Sequence, residues 1–315
     1  MKEIKHFERF LTAGIIKEIT KYQQENKKQE AVQEIRLRIG RPIVLRTSSG
    51  KKILRGTSVE RETLEEIVQR LGGYSLYAFE ESLGQGFLTI EGGHRVGFCG
   101  KAVIIQGKLQ TLRRISSLNL RIAHEVVGCA EPFMPYLFNE EKQLCHVFLV
   151  SPPGCGKTTF LRDFIRLLSG EAYGYSVGVV DERSEIAAMH MGEPQMDLGV
   201  MSDVQEDCPK ALGMVFLLRS MSPEVIAVDE LGKKEDFLAV EDVLHSGVKL
   251  FATLHGENME GILAKESVRE LFGNIRDGRV IFLGRRGGVG YVEEIQTTDG
   301  KNIYGGVADV DSTHR

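Results

Sequence analysis

The sequence predicts an α/β fold in which a mostly parallel sheet is covered by helices on both faces, preceded by a small α+β domain. From about residue 145, short apolar runs such as HVFLV and VIAVD alternate with segments of helical length. Fully apolar strands interleaved with helices are typical of buried parallel sheets. Earlier in the chain, apolar and charged residues alternate instead, and Gly-rich turns separate the runs. We therefore predict an N-terminal domain with linker over 1–125 and a second domain over 126–315.

Composition excludes several protein classes. The chain has 315 residues, of which 42% are hydrophobic and 27% charged, as in ordinary soluble globular proteins. Its apolar runs are far shorter than the roughly 18 residues of a membrane span, and the N-terminus lacks the apolar core of a signal peptide. The five cysteines are scattered, which argues against a disulfide framework or a zinc site. We expect a cytoplasmic protein.

The charge is unevenly distributed, although the net charge is only −4. Residues 1–130 contain 22 Lys and Arg against 14 Asp and Glu, a balance of +8. Residues 131–315 contain 18 against 30, a balance of −12. This asymmetry favours a basic N-terminal domain that faces an anionic or acidic partner, such as a neighbouring subunit. The alternative is that both halves carry ordinary solvated surfaces.

The N-terminal domain is predicted to combine helices and hairpins. Helical periodicity opens the chain, and EIRLRIGRPIVLR (34–46) predicts a pair of strands. Residues 63–86 indicate one or two short helices, and 87–115 indicate strands separated by Gly-Gly and Gln-Gly turns. Residues 116–137 are expected to lead into the second domain, with breaks at Pro132 and Pro135.

The second domain is predicted as a regular alternation of elements. Strands are expected over 146–150, 176–181, 225–229 and 249–255, helices over 158–169, 209–221, 235–247 and 262–272, and a final hairpin over 279–295 around Arg285, Arg286, Gly287 and Gly288.

The stretch SPPGCGKTT follows the first of these strands and opens the first helix, which is the context of a phosphate-binding loop. The usual pattern begins with glycine where this chain has Ser151, at the strand exit, where a small residue can serve. Gly154 and Gly156 allow the unusual dihedrals that turn backbone N–H groups towards an anion. Lys157 is placed for the β- and γ-phosphates, and the Thr158 hydroxyl for Mg²⁺. The predicted nucleotide-binding residues are Ser151, Pro152, Pro153, Gly154, Cys155 (a small filler), Gly156, Lys157, Thr158 and Thr159.

Acidic residues or a histidine end three further strands. VIAVDE ends in Asp229, predicted to hold the water shell of Mg²⁺, and Glu230, which could polarise an attacking water. VGVVDERSE carries Asp181 and Glu182, and LFATLH places His255 where it could sense the γ-phosphate or relay to the water. Acid-tipped strands beside a phosphate loop indicate a RecA-like P-loop ATPase core. Either Glu182 or Glu230 could be the main base.

The chain resembles the stage III sporulation protein AA family, a branch of the secretion-ATPase superfamily that includes the type II and type IV secretion and pilus motors. The resemblance covers nearly the whole chain. Its motifs are EIRLRIGRP, GHRVGFCG, RRISSLNLRIA, SPPGCGKTTFLRD, VVDERSEIA, DCPKALGM, LLRSMSPEVIAVDELG and ATLHG. The serine that opens the phosphate loop recurs in that family, VVDERSE resembles its aspartate box, and ATLHG resembles its histidine box.

The resemblance implies a ring-forming ATPase, hexameric, that uses ATP and Mg²⁺ on the mother-cell side of the channel between mother cell and forespore. It implies recruitment to the membrane by integral membrane proteins of that channel. It also implies that arginines complete a nucleotide site between the two domains, with Arg113, Arg114 and Arg121 as candidates for binding and Arg219 for catalysis. Met201 departs from the expected pattern, where relatives have a basic residue, so a charge contact there is missing or supplied elsewhere.

Three functions stay open at this point. The first is ATP hydrolysis that drives domain motion in an oligomeric ring and energises transport or channel assembly. The second is a nucleotide-binding scaffold with little turnover. The third is a nucleic-acid-dependent RecA-like ATPase, which the basic N-terminal domain would favour. No base-stacking aromatics are interleaved with the arginines of residues 36–46, so nucleic acid is not the expected partner.

Overall fold

The computed structural model describes residues 5–26, 31–73, 76–285 and 290–305. Tertiary contacts divide the chain into two compact units, Met1–His124 with Ala188–Gln195, and Glu125–Ala187 with Met196–Arg315. The return of Ala188–Gln195 to the first unit was not indicated by any sequence pattern. Within the described ranges, no helix is long and apolar enough to cross a bilayer.

The first unit is built on an antiparallel sheet. Its strands are β1 (Val32–Arg38), β2 (Pro42–Thr47), β3 (Gly50–Ser58), β4 (Phe87–Ile90), β5 (His94–Ile105) and β6 (Lys108–Arg121), and its helices are α1 (Lys5–Glu8), α2 (Ala13–Glu25), α3 (Arg61–Leu71) and α4 (Leu76–Gln85). The strand order is β3-β2-β1-β6-β5-β4. The predicted strand pair follows from alternation along β1, because Ile35 and Leu37 are fully buried while the alternating residues Arg36 and Arg38 are not. The helix–hairpin prediction for this region is confirmed.

One prediction for the first unit is wrong. Residues 116–121 do not belong to a connection; they are the end of β6, which pairs with β1 and with β5. Leu118 and Leu120 are buried on the core face of the sheet, an alternation too short to be distinguished from a connection. Pro132 and Pro135 both lie in a short 3-10 helix, Glu131–Leu137.

The second unit is built on a mostly parallel sheet. Its elements are β7 (His146–Ser151), α5 (Lys157–Leu168), β8 (Val177–Asp181), β9 (Ser202–Glu206), α6 (Lys210–Ser220), β10 (Val225–Val228), α7 (Lys234–His245), β11 (Lys249–His255), α8 (Met259–Leu263), α9 (Glu266–Gly273), β12 (Gly278–Gly284), β13 (Tyr291–Thr297) and β14 (Asn302–Gly305). The strand order is β14-β13-β12-β7-β11-β10-β8-β9. Strands β12, β7, β11, β10, β8 and β9 run parallel, and β13 and β14 add an antiparallel edge. The predicted mostly parallel sheet is confirmed.

Two details of the second unit differ from the sequence prediction, and a third is only partly described. The edge strand β9 was not predicted, because SDVQE is polar and only partly buried. The helix expected over 262–272 is two shorter helices, α8 and α9. The hairpin over 279–295 is present as β12 and β13, but its predicted turn residues from 286 onward lie outside the described residues, and only Arg285 is placed.

Helices cover both faces of this sheet, which explains its fully apolar strands. Phe164 of α5 packs edge-on against Phe251 of β11, with ring centroids 6.4 Å apart. On the opposite face, Phe272 of α9 lies 4.9 Å from Phe148 of β7. Because the central strands are parallel, the carboxyl ends of β7, β8, β10 and β11 meet at one edge of the sheet.

A buried carboxylate joins α5 to the segment that precedes β7. Asp163 is 2% exposed and accepts hydrogen bonds from the backbone N–H groups of Gly128 (3.0 Å) and Ala130 (2.7 Å). The Arg166 guanidinium donates to it at 2.8 Å. Burial raises the pKa of the Asp163 carboxyl, but these hydrogen bonds outweigh it and hold that pKa below its usual value.

We expect Asp163→Asn to lower the free energy of unfolding by about 3 kcal/mol at neutral pH, because it leaves Arg166 and a backbone donor without their charged acceptor. The pKa of Asp163 is lower in the folded chain than in the unfolded chain. The ionised carboxylate therefore stabilises the fold fully at pH values above the unfolded-state pKa, and this stabilisation is lost as the pH falls through the folded-state pKa. The difference between variant and parent should therefore shrink below about pH 4. Urea unfolding at several pH values measures it. The exposed Asp242→Asn is the matched control, and equal stability of the two variants at neutral pH would contradict the prediction.

Candidate functional site

The loop between β7 and α5 has the backbone that its glycines predict. Gly154 and Gly156 have φ values of 74° and 94°, in the left-handed region that favours glycine. Ser151 is the last residue of β7; it is fully buried, and its hydroxyl donates to the Pro152 carbonyl at 2.8 Å. A small residue is therefore sufficient at the position where the usual pattern has glycine. Cys155 is buried at 2% exposure, consistent with the role of a small filler.

Lys157 extends along this loop from the first turn of α5. Its ammonium donates to the Ser151 carbonyl at 2.9 Å and lies 3.3 Å from Nδ1 of His255. Burial lowers the pKa of Lys157, and the nearby carboxylates of Asp229 and Glu230 act in the opposite direction. The lysine thus brings a desolvated cation beside the loop and the strand ends.

Hydroxyls hold the carboxylate that follows β10. The Thr158 hydroxyl donates to Oδ2 of Asp229 at 2.6 Å, and the Thr253 hydroxyl donates to Oδ1. Thr253 also accepts the backbone N–H of Glu230 at 2.8 Å, which fixes the turn after the strand. Mg²⁺ prefers oxygen donors and is commonly held by one or two protein ligands together with phosphates and water. The Thr158 hydroxyl and the Asp229 carboxylate, side by side at the end of the loop, fit such an ion.

The next carboxylate is held at both oxygens. Oε1 of Glu230 lies 2.8 Å from Nε2 of His255, and Oε2 accepts from Arg183 at 2.7 Å. Burial raises the pKa of Glu230, but the His255 hydrogen bond and the Arg183 charge outweigh it, so the pKa lies below its usual value. The backbone of Glu230 has φ 57°, an unusual value for a non-glycine residue that occurs often at functional sites. Glu230 is therefore an ionised acceptor in a fixed orientation.

The acids after β8 have different surroundings. Asp181 is 2% exposed and accepts backbone N–H groups of Glu185, Ile186 and Ala187 at 2.8 to 3.0 Å, so it organises the turn that follows. Burial raises its pKa despite these hydrogen bonds.

Glu182 is bound by two lysines. Its carboxylate pairs with Lys210 of α6, which is 5% exposed, and with Lys233 at 3.5 Å. Burial raises the pKa of Glu182, but the two lysines outweigh it and lower the pKa. Glu182 is therefore neutralised by a buried lysine, whereas the cation that pairs with Glu230, Arg183, is exposed.

A cavity of about 590 Å³ lies at this edge of the sheet. Its lining is formed by Pro153, Gly154, Gly156, Lys157, Thr158, Thr159, Glu185, Asp229, Glu230 and His255. The volume is in the range of small-molecule pockets. The phosphate loop, the acids after β10 and the histidine of β11 thus line one space.

Some predicted site residues lie elsewhere. Arg219 is exposed in the last turn of α6, and Arg113, Arg114 and Arg121 are exposed on β6 of the first unit. Glu182 is also absent from the lining of the cavity. Three residues of the phosphate loop, Ser151, Pro152 and Cys155, are absent from the lining too. The roles of all the predicted site residues stay predictions.

Several contributors were missed by sequence reasoning. Thr253 could have been found, because alternation along β11 places it on the same face as His255, two residues later. Glu185 lines the cavity, and Arg183 reaches Glu230, from the same VVDERSE motif as Glu182. Arg285 donates to the Pro153 carbonyl at 2.8 Å. For Arg183 and Arg285, no sequence signal identifies the partner.

Known proteins resemble this chain in sequence and in fold. The family model described as sporulation stage III, protein AA matches residues 1–303. The stage III sporulation protein AA of Bacillus subtilis (strain 168) is 39% identical over 272 residues, which cover 85% of this chain and 88% of that protein.

Solved structures of similar fold include an ATPase and a pilus retraction motor. The ATPase DotB of Legionella pneumophila has a TM-score of 0.56 at 16% identity, over 94% of this chain and 80% of DotB. The pilus retraction motor PilT with bound ADP has a TM-score of 0.57 at 16% identity, over 92% of this chain and 83% of PilT. These likenesses confirm the predicted fold, a P-loop ATPase core preceded by an N-terminal domain. The family match and the Bacillus subtilis relative show that the chain belongs to the sporulation stage III protein AA family, and it has the fold of DotB and PilT.

Proposed function

We propose that this chain binds ATP with Mg²⁺ at the cavity in the second unit and hydrolyses it. The supporting observation is that Lys157, Thr158, Asp229, Glu230 and His255 line one cavity at the end of a phosphate loop. Together they supply four requirements of phosphoryl transfer: a cation for the phosphates, oxygen ligands for a metal, an acceptor for a proton and a group that holds the acceptor.

In this proposal, each part of the site has its own role in binding or hydrolysis. Backbone N–H groups of the loop and the N-terminus of α5 bind phosphate oxygens, and the Lys157 ammonium leaves the loop carbonyls to contact the β- and γ-phosphates. When bound, Mg²⁺ neutralises charge on the phosphates, and Thr158 and Asp229 are the residues that would hold it. Glu230 accepts the proton of the attacking water, and His255 keeps the carboxylate oriented.

We further propose that hydrolysis drives domain motion in a homo-oligomeric ring, hexameric, that energises transport or assembly at the sporulation channel. In this proposal the protein acts in the mother-cell cytoplasm and reaches the membrane through integral membrane proteins of the channel. Support comes from the family match and from the fold shared with the pilus retraction motor PilT and the ATPase DotB.

A nucleotide-binding scaffold with little turnover is the second candidate. One observation favours it: both oxygens of Glu230 already have partners, His255 at 2.8 Å and Arg183 at 2.7 Å. A carboxylate held in this way has a lowered pKa and is a weaker base. Fast hydrolysis then requires Arg183 to release Oε2 in the nucleotide complex.

Phosphate release and native mass together test the proposal. The purified chain, with ATP and Mg²⁺, should release inorganic phosphate, and its native mass should rise to that of a ring when ATP is added. Tight nucleotide binding without phosphate release would support the scaffold instead. If the chain hydrolysed ATP but stayed monomeric at every concentration, the proposed hydrolytic site would be supported and the proposed ring would be wrong.

A further inference from the structure

The turn between β5 and β6 carries aliphatic side chains in water. Gln106 and Gly107 form the turn, with φ values of 52° and 76°. Directly behind it, Ile104 and Ile105 are 65% and 54% exposed, and Leu109, which pairs with Ile104 across the strands, is 40% exposed. We refer to Ile104, Ile105 and Leu109 as the hairpin tip. Turns are usually polar, so three aliphatic residues grouped at one indicate a surface that is covered by something else.

The tip extends beyond the body of the sheet. Pairing of β5 with β4 ends at Gly97, and pairing of β6 with β1 involves only residues 117–121. Between residues 101 and 113, β5 and β6 therefore pair only with each other and form a two-stranded ribbon. Helix α4 supports this ribbon from one side next to the tip, where Gly84 approaches the Gln110 carbonyl so closely that a Cβ would lie 2.9 Å from it. The tip side chains stay exposed despite this support.

The hairpin is basic throughout. Residues 92–124 contain no Asp or Glu, and their Lys and Arg residues are Arg95, Lys101, Lys108, Arg113, Arg114 and Arg121. Lys101 lies directly opposite Arg113 in the register, and both are exposed. Like charges at opposed positions destabilise a strand pair. An external anion beside this pair would remove the repulsion.

The distance between the hairpin tip and the Lys101–Arg113 pair matches the depth to which apolar side chains enter a lipid surface. Lys101 precedes Ile104 by three residues, about 10 Å along a strand. Interfacial elements bury their apolar side chains roughly 5–10 Å into the boundary between headgroups and acyl chains, with Lys and Arg at the headgroups. Aliphatic side chains in the acyl region would therefore leave the Lys101–Arg113 pair at the level of the lipid phosphates.

We propose that the β5–β6 hairpin docks directly on an anionic lipid bilayer, with the tip in the interface and its cations on lipid phosphates. A nucleic acid fits less well, because residues 101–115 contain no aromatic side chain on which a base could stack. A second copy of the chain would need a groove to receive a projecting tip, whereas a fluid bilayer accepts it without one. This contact is additional to recruitment by membrane proteins and does not depend on nucleotide.

Flotation of the full chain with vesicles tests the docking. The chain should float with vesicles of phosphatidylcholine and phosphatidylglycerol but not with phosphatidylcholine alone, and the bound fraction should fall with added salt. Ile104→Ser, Ile105→Ser and Leu109→Ser combined should reduce binding at least about tenfold. The matched control changes Leu212, Phe216 and Leu238, exposed apolar residues of α6 and α7, to serine and should bind as the parent does.

A single tryptophan gives a second, direct readout. The chain has no Trp, so Ile105→Trp places the only indole at the tip. Its emission should shift to the blue with anionic vesicles and be quenched by lipids brominated on the acyl chain. Adding Lys101→Glu to that variant should weaken the shift.

Three outcomes would overturn the docking. They are no flotation with anionic vesicles at low salt, equal flotation of the tip variant and the parent, and an indole that stays in water when the chain floats. If the tip variant formed a smaller native particle than the parent but bound vesicles equally well, the tip would instead contact a second copy of the chain. Thermal unfolding of each variant confirms that it is folded.

Discussion

Lys157→Ala should abolish ATP hydrolysis and weaken ATP binding. Lys157 is 8% exposed, and it is the only lysine or arginine among the described residues that line the cavity, so no other cation of that lining replaces it. Removal of one preorganised charge from a desolvated site commonly costs two to three orders of magnitude, about 10²–10³, in rate. Phosphate release at saturating ATP and the ATP-dependent rise in the unfolding temperature are the two measurements.

Controls must separate lost chemistry from a damaged loop, because Lys157 also donates to the Ser151 carbonyl at 2.9 Å. Lys157→Met keeps the aliphatic stem without the charge and should be equally inactive while it melts near the parent temperature. Lys234→Ala, at the exposed start of α7, should hydrolyse at the parent rate. Parental activity in both Lys157 variants would place the hydrolytic site somewhere else.

The parts of this site that sequence predicted are those that local pattern determines. Gly154 and Gly156 are needed for their φ values, and a lysine and a threonine open the following helix in the same motif. Asp229 and Glu230 follow an apolar strand, and parallel strands place their ends at one edge of the sheet. For these residues, knowledge of the element order was sufficient to predict their proximity.

The parts that sequence did not predict depend on side chains from distant segments. Whether Glu182 or Glu230 faces the cavity is decided by the turn after each strand. Glu230 adopts φ 57° and reaches His255, whereas Glu182 is bound by Lys210 from α6. Neither the conformation of a turn nor the pairing of a glutamate with a distant lysine leaves a periodic pattern or a fixed spacing in the sequence. The edge strand β9 was missed for a related reason, since a half-exposed strand need not be apolar.

Glu230→Gln should stop hydrolysis while ATP binding persists. Glutamine has the shape of glutamate but cannot accept a proton from water, and loss of a general base typically costs about 10²–10⁴ in rate. Because Lys157, Thr158 and Asp229 are unchanged, the variant should still show the ATP-dependent rise in melting temperature. Retained binding with lost phosphate release separates this variant from Lys157→Ala.

Glu182→Gln is the matched comparison and should behave in the opposite way. Its carboxylate is held by Lys210 and Lys233 and does not line the cavity, so hydrolysis should stay within a few-fold of the parent. The expected loss is in stability, because Lys210 is 5% exposed and would lose its counter-charge. Should Glu182→Gln instead lose turnover as completely as Glu230→Gln, with its melting temperature unchanged, Glu182 would be the base. The Glu230–His255 pair would then serve to hold the turn after β10.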